Sequence, residues 1–254
     1  MEGRDQEGDR LAHQHRRLNL LLLTADEVDA NGHARLAGAR REHALEVLKL
    51  AEGDTLRVGV LGGRVGVATL ISREDPLQLR VELSAEPPPR PGLDLILAIP
   101  RPKALRRLIP AIASLGFDRV VLLNAARVEK SYFDSKVLDP AYLDELIRLG
   151  LEQAKDTVAP QLLVRERFKP FVEDELDAWA GGARRFVLHP GPVTRAARGP
   201  SERAVLAVGP EGGWVPFELT LLRARGFEPV GLGERPYRVE VVVPMLAGVF
   251  AALR

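Results

Sequence analysis

The segment Val208–Trp214 combines glycines with a carboxylate between a predicted strand and a predicted helix, a position at which many proteins bind ligands. It follows the apolar run Ala204–Val208, which predicts a buried strand. It precedes Pro216–Leu219, which predicts the start of a helix because proline is favoured in a first turn. Glycines after a strand let the backbone approach a ligand closely, and open α/β sheets bind ligands at this end of their strands. The alternative is a tight strand-to-helix turn that binds nothing.

The carboxylate of Glu211 indicates which ligands this turn suits. A carboxylate accepts hydrogen bonds from hydroxyls and amines, whereas it repels a phosphate. The segment also lacks the Gly-Lys-Ser/Thr sequence of a P-loop, so that type of nucleotide site is excluded.

Two further strand candidates end in turns of glycine and proline. Phe186–Leu188 is followed by His189-Pro190-Gly191, and Pro229–Gly231 is followed by the polar segment Leu232–Glu240. Glycine and proline favour sharp turns, and turns that follow strands can converge on one pocket. The sequence therefore predicts that three strand ends meet.

These three motifs, in this order and ahead of an apolar C-terminal helix, resemble the RsmE-type enzymes of the SPOUT methyltransferase class. Enzymes of that type methylate N3 of a uridine in small-subunit ribosomal RNA. The resemblance covers nearly the whole chain beyond residue 15. The pattern usual in the family's first domain is met by His43, Val47, Leu48, Gly53 and Asp54. Lys49 stands where arginine is usual.

The resemblance implies S-adenosylmethionine as the cofactor and a homodimer as the assembly. It implies that Arg238 holds an RNA phosphate or the uracil carbonyl, and that Glu240 orients this arginine or removes a proton. An alternative is that Arg238 and Glu240 form only a surface ion pair, which would contribute little to stability. His189 suits the role of a turn residue better than that of a catalyst. The implied cofactor-binding residues are Leu188, His189, Pro190, Gly209, Glu211, Gly212, Gly213, Leu232, Gly233 and Tyr237.

Several positions depart from the family's pattern. The family usually has Cys or Ser, Gly and Arg where this chain has Ala154-Lys155-Asp156, so a phosphate contact is expected to be weaker. It usually has threonines where Val239 and Val241 flank Glu240. Pro110 removes a hydrogen bond from its helix. These departures leave open a second reading, an RNA- or ribosome-binding protein of the same fold whose methyl transfer is lost or retargeted.

Charge is balanced overall and concentrated locally. Thirty-six basic and 35 acidic residues leave a net charge of +1, so the chain as a whole has no nucleic-acid footprint. Residues 101–136 hold eight basic and three acidic residues, a local charge of +5 that suits RNA phosphates. The alternative is a solvated helix face. The RNA-contacting residues predicted here and near the N-terminus are Arg16, Arg17, Lys103, Arg106 and Arg107.

Composition excludes several classes of protein. The chain has 254 residues, 46% of them apolar, and no apolar run near 18 residues long, so no membrane span is expected. Residues 1–15 are polar and lack the apolar core of a secretory signal. With zero cysteines, disulfides and thiolate sites are impossible, which is compatible with the cytoplasm. The five histidines show no metal-ligand spacing, and no metal is expected.

The chain divides by composition into a tail, two domains and a linker. We predict a flexible tail at 1–15 and a small β-rich domain at 16–85, with a helix within 43–50. The four prolines of 86–92 form a linker, since they cannot continue a helix or a central strand. Residues 93–254 alternate strands and helices, which predicts a mostly parallel sheet. From the resemblance we expect a PUA-like, RNA-binding β-barrel, then a SPOUT methyltransferase domain with a C-terminal trefoil knot.

Overall fold

The computed structural model describes residues 20–47, 49–191 and 202–251. Within these ranges the chain forms two compact units. The first unit contains the residues up to Pro88 together with Leu151–Val158, and the second contains Pro89–Gly150 and the residues from Ala159 onward. Arg16 and Arg17, two of the predicted RNA contacts, lie outside the described residues.

The first unit is built on a five-stranded sheet that curls as a half-barrel. Its strand order is β1-β3-β4-β5-β2, so β1 and β2 are the two edge strands and the sheet is open. The side chains of β5 alternate between the buried Leu77, Leu79 and Val81 and the polar residues between them, which gives the sheet one apolar face. The strands are β1 (Leu21–Leu23), β2 (His33–Leu36), β3 (Thr55–Val60), β4 (Val65–Ser72) and β5 (Leu77–Ala85).

The helical part of this unit differs from the prediction. A short helix α1 covers Gly38–Glu42, and a wider helical turn continues over His43–Val47. The helix predicted within 43–50 therefore begins earlier and ends at Val47, because Lys49 takes a left-handed backbone (φ 53°) that no helix can include.

Asp156, one of the departures from the family pattern, has a structural role in the first unit. Its carboxylate is buried and accepts hydrogen bonds from the backbone N–H groups of Thr157 at 2.7 Å and Val158 at 3.0 Å. The carbonyl of Thr157 in turn accepts from the N–H of Gly62 at 2.8 Å. Asp156 thus stabilises a turn that is bonded to the β3–β4 hairpin.

The second unit is an α/β structure around a six-stranded sheet in which every strand pair is parallel. The order is β11-β9-β10-β6-β7-β8. The central strands are buried along their whole length, as expected for a parallel sheet covered on both faces. Its strands are β6 (Leu93–Ala98), β7 (Arg119–Leu123), β8 (Gln161–Arg165), β9 (Arg184–Leu188), β10 (Ala204–Val208) and β11 (Glu228–Val230).

Helices connect these strands. Helix α2 buries Leu105, Leu108, Ile109 and Ile112 on one face, continues through Pro110 and is followed by Gly116 at φ 74°. The C-terminal helix begins at Val239, within the segment Leu232–Glu240 that the sequence marks as polar. The helices are α2 (Pro102–Ser114), α3 (Pro140–Ala154), α4 (Phe168–Pro170), α5 (Leu176–Ala180), α6 (Pro216–Ala224) and α7 (Val239–Ala251), with short 3₁₀ turns at Lys130–Tyr132 and Lys136–Leu138 and a wider turn at Phe171–Glu175.

One charged residue interrupts the apolar run of β6. Asp94 is fully buried, and its carboxylate accepts two hydrogen bonds from Arg119, at 3.0 and 2.6 Å, and two from Arg203, at 2.8 and 3.0 Å. All three residues lie at the amino ends of neighbouring strands. A buried carboxylate is tolerated only when paired in this way, so the trio ties the amino edge of the sheet together.

The predicted trefoil knot stays a prediction. Residues 192–201, which connect β9 to β10, lie outside the described residues. In the described part of the chain, no helix is long and apolar enough to span a membrane.

Two helical glycines test the packing of the second unit. A Cβ on Gly150 of α3 would lie 2.2 Å from the carbonyl oxygen of Pro110, whereas a Cβ on Gly248 of α7 would meet nothing within 4 Å. We expect Gly150→Ala to lower the free energy of unfolding by about 1–3 kcal/mol through overpacking. Gly248→Ala should raise it by about 1 kcal/mol through helix propensity. Urea unfolding followed by circular dichroism checks both, and equal midpoints for the two variants would contradict the packing described.

Candidate active site

The three turns identified in the sequence, after β9, β10 and β11, all lie at the carboxyl edge of the six-stranded sheet, where its strands end. The N–H of His189 donates to the carbonyl of Val230 at 3.1 Å, and the N–H of Gly233 donates to the carbonyl of Gly191 at 3.2 Å. The turn after β9 and the turn after β11 are therefore bonded to each other. Leu188, His189 and Leu232 are half-buried there, and Pro190 is exposed.

The turn after β10, here called the glycine turn (Gly209–Trp214), lies at the same edge. The N–H of Gly213 donates to the carbonyl of Pro210 at 2.7 Å, and Gly213 has a φ of 73° that favours glycine. A Cβ on Gly209 would lie 3.1 Å from Nε1 of Trp214, so the indole packs where a side chain would be. These two glycines are thus required by the turn itself.

Glu211 is exposed and belongs to the network that holds the glycine turn. Its Oε1 accepts a hydrogen bond from the backbone N–H of Arg101 at 3.2 Å, just before α2 begins. The carboxylate that the sequence assigns to a ligand hydroxyl therefore also joins the glycine turn to the end of β6.

Arg127 is a residue of this edge that sequence reasoning missed. Its guanidinium donates to the carbonyl of Gly212, and a Cβ on Gly212 would lie 2.9 Å from its Cδ. In the sequence, Arg127 entered only as one of eight basic residues in a charged stretch. The structure gives it a specific place, as a clamp from the end of β7 across the glycine turn.

Glu218 was missed as well, since its position only suggested a helix start. Its side chain is 2% exposed, Oε1 accepts from the N–H of Ala126 at 2.7 Å, and Oε2 accepts from the N–H of Val215 at 2.9 Å. The second bond is half of a capping arrangement for α6. The first joins that helix to the loop after β7, so one buried carboxylate holds two segments of the edge.

The indole N–H of Trp214 is buried and finds no hydrogen-bond acceptor in the described part of the chain. A buried donor of this kind costs about 1–3 kcal/mol. Native proteins rarely keep one, and those that do often keep it at a functional site. The unpartnered donor lies against Gly209, at the centre of the predicted cofactor site.

The residues proposed for chemistry lie just before α7 and in its first turn. Tyr237 and Arg238 are exposed, and the carbonyl of Arg238 accepts from the N–H groups of Val241 at 2.9 Å and Val242 at 3.0 Å. Among the ion pairs of the described residues, none joins Arg238 to Glu240. Residues two apart around a helix start do not face each other. Glu240 therefore does not orient Arg238 through a direct contact.

The loop after β7 adds a polar group that is not a base. The hydroxyl of Tyr132 donates to Glu129 at 2.9 Å. Burial and this hydrogen bond raise the pKa of Tyr132 above its ordinary value near 10, so the phenol stays protonated at neutral pH.

The predicted RNA contacts on α2 share one face. Lys103, Arg106 and Arg107 are exposed, on the side of the helix away from its buried leucines and isoleucines. The described residues contain no group of three or more His, Asp or Glu side chains that could hold a metal ion.

The double role of Glu218 leads to a test. In Glu218→Gln, an amide NH₂ replaces one carboxylate oxygen and leaves a backbone N–H without an acceptor. We expect the free energy of unfolding to fall by about 1–3 kcal/mol. Chemical unfolding measures the loss, with Glu145→Gln, an exposed change on α3, as the matched control. Equal stability of the two variants would show that the carboxylate does not hold the edge.

The geometry agrees with what known proteins show. The family described as "RNA methyltransferase domain" matches residues 87–250. The chain is 28% identical over 231 residues to the ribosomal RNA small subunit methyltransferase E of Treponema pallidum. The aligned region covers 88% of this chain and 86% of that protein. It is 27% identical over 231 residues to the protein of that name from Synechocystis, covering 89% and 75%.

Solved structures share the fold. A ribosomal RNA small subunit methyltransferase E from Neisseria gonorrhoeae, bound to S-adenosyl methionine, superimposes with a TM-score of 0.75 at 18% identity over 92% of this chain and 98% of that one. A putative methyltransferase from Legionella pneumophila, with the same cofactor bound, gives 0.74 at 21% identity over 93% and 98%. With its half-barrel, its parallel sheet and its glycine turn, the chain belongs to the RNA methyltransferase domain family and is a distant member of the RsmE group within it.

Proposed function

We propose that this protein is an S-adenosylmethionine-dependent methyltransferase that acts on N3 of a uridine in small-subunit ribosomal RNA. The observation that carries the proposal is the meeting of three turns at one edge of the sheet, two of them bonded directly through Gly191 and Gly233. Relatives named as ribosomal RNA small subunit methyltransferases and a solved structure of that name with S-adenosyl methionine bound support it.

The residues at this edge fit an adenosyl cofactor. Turns of glycine and proline leave backbone N–H and C=O groups near the ligand, and such groups recognise an adenine and a ribose. The indole N–H of Trp214 has no acceptor among the described residues, so it would be available to donate a hydrogen bond to a bound ligand. Leu188, His189, Pro190 and the glycine turn would form two sides, with Leu232, Gly233 and Tyr237 as the third. When bound, S-adenosylmethionine supplies the methyl group.

The protein's own part in the reaction is to hold the uracil and to remove its proton. A uracil N3 carries a proton that must leave before the nitrogen lone pair can react. Glu240 is our candidate acceptor for that proton. Arg238 is exposed, and its planar fork suits either the uracil carbonyl, which gains negative charge as the proton leaves, or the adjoining phosphate.

RNA binding is proposed for two surfaces. Lys103, Arg106 and Arg107 would contact phosphates along α2, and the half-barrel of the first unit would contribute a further RNA-binding surface, as the resemblance implies. A protein that acts on ribosomal RNA works where ribosomes are assembled, so we place it in the cytoplasm.

The second reading, RNA or ribosome binding without turnover, draws on one observation. Val239 and Val241 stand where the resembling enzymes have hydroxyls, and the side chain of Val241 is exposed. Failure to bind the cofactor at millimolar concentration would favour this reading.

Cofactor binding and chemistry can be tested separately. Isothermal titration with S-adenosylmethionine and S-adenosylhomocysteine should give micromolar binding to the parent protein. Glu211→Ala should weaken it about tenfold, because the glycine turn loses a hydrogen bond, and Gly212→Val should block it. Arg238→Ala should keep the affinity and lose most methyl transfer to undermethylated small subunits.

The matched controls are Glu145→Ala for the carboxylate and Arg223→Ala for the guanidinium, both at exposed positions. If Glu211→Ala, Gly212→Val and Arg238→Ala all behaved as the parent does, the proposed enzyme function would be wrong.

A homodimer is proposed through α7. Val241 and Val249 are exposed apolar residues eight positions apart on this helix, so they share a face. We expect sedimentation at micromolar concentration to show a dimer and Val249→Lys, at a side chain 43% exposed, to give a monomer. Val67→Lys, at a side chain 45% exposed in the first unit, should leave the dimer intact. A monomeric parent protein would refute the assembly.

A further inference from the structure

A cleft at the carboxyl edge, separate from the three turns, has no role in the proposed cofactor site. Its volume is about 340 Å³, at the lower end of the range for small-molecule pockets. It lies between the residues that follow β7, the residues that follow β8 and the start of α6. Because β6, β7, β8 and β10 are parallel, the cleft opens on the same edge as the glycine turn.

The cleft is held open by bonds that do not involve a ligand. The backbone N–H of Asn124 donates to the carbonyl of Arg165 at 2.9 Å, and its side-chain amide donates to the carbonyl of Glu166 at 2.9 Å. Glu218 fixes the third wall through its bonds to Ala126 and Val215. The site is therefore formed in advance, which lowers the entropy cost of binding.

The walls combine an aromatic ring with cations. The side chain of Phe217 is 57% exposed, so its ring is open to solvent in the wall of the cleft. Phe168 is buried beneath, and its ring lies 5.8 Å from that of Trp214 in the glycine turn. Arg167 and Lys169 are exposed beside them, against Glu166 as the exposed acid of the lining. The carboxylate of Glu218 is buried and already accepts two hydrogen bonds.

We propose that this cleft binds an unpaired base of the substrate RNA next to the target uridine, with the base stacked on Phe217 and its phosphate on Arg167 and Lys169. Stacking on aromatic side chains, combined with cations that follow the backbone, is how proteins hold single-stranded RNA. A free phosphate would leave the exposed ring of Phe217 unused, and the described residues hold no cluster that could bind a metal. The inference rests on the proposed function, since it assigns a subsite for the same RNA.

The test uses the full chain and a fluorescein-labelled, uridine-containing single-stranded RNA about ten nucleotides long, followed by anisotropy. Phe217→Ala should weaken RNA binding roughly tenfold. Phe217→Trp keeps an aromatic ring at this position and should bind RNA as the parent does. Arg167→Gln and Lys169→Gln should each lower the salt dependence of binding by about one unit of slope. Affinity for S-adenosylhomocysteine should be unchanged in all four variants.

Two controls match these changes. Leu149→Ala removes an apolar side chain that is also 57% exposed but lies on α3, and Arg223→Gln removes an exposed cation further along α6. Both should bind RNA as the parent does. If Phe217→Ala equals Leu149→Ala, the cleft is not an RNA subsite, while cofactor binding by the parent keeps the proposed function intact.

Two other outcomes would also overturn the inference. If the parent protein bound the cofactor but no single-stranded RNA, the cleft would have no RNA base to bind. Sedimentation showing that Phe217→Ala dissociates a dimer would identify the cleft as a contact between two copies of the chain.

Discussion

Parallel pairing of β10 with β6 on one side and β9 on the other decides where the functional groups of the second unit lie. The register runs without a break from Ala204 opposite Leu93 to Val208 opposite Leu97, so neighbouring strands end together. Every connection that leaves these ends must turn at the same edge. Residues distant in the chain are brought together there, as Glu211 and the N–H of Arg101 are across 110 positions.

The residues of the glycine turn make contacts within the protein that do not depend on a bound ligand. Gly213 is favoured by its backbone angle, while Gly209 packs closely against the indole of Trp214 and Gly212 against the side chain of Arg127. Contacts from the ends of β6 and β7 then hold the turn from outside. A cofactor would meet backbone groups whose positions are already determined. Such preorganisation is what makes hydrogen bonds effective in binding and catalysis.

The strands of the second unit, the β-rich and α/β classes of the two units and the glycine motif could be predicted because each leaves a local pattern in the sequence. Apolar runs such as Leu93–Ala98 have the length of a buried strand, and glycine pairs mark hairpins. The clamps were not predictable. Arg127 and Glu218 gain their roles from contacts across 85 and 92 positions, and nothing near them in the sequence distinguishes them from surface charges. Asp156 shows a further case, in which a residue noted only as a departure from the family pattern also holds a turn of the first unit.

The buried carboxylate of Asp94 lies at the opposite edge from all of this chemistry. Arg119 is the first residue of β7 and Arg203 stands just before β10, so this charged anchor lies at the end of the strands away from the turns of the candidate site. Substitutions in those turns can therefore be made without removing the charged anchor of the sheet. The same holds for residues such as Val239 and Val241, which lie near the candidate site and make no contact with Asp94. This separation makes the architecture evolvable, since one edge preserves the fold while the other is free to change its target.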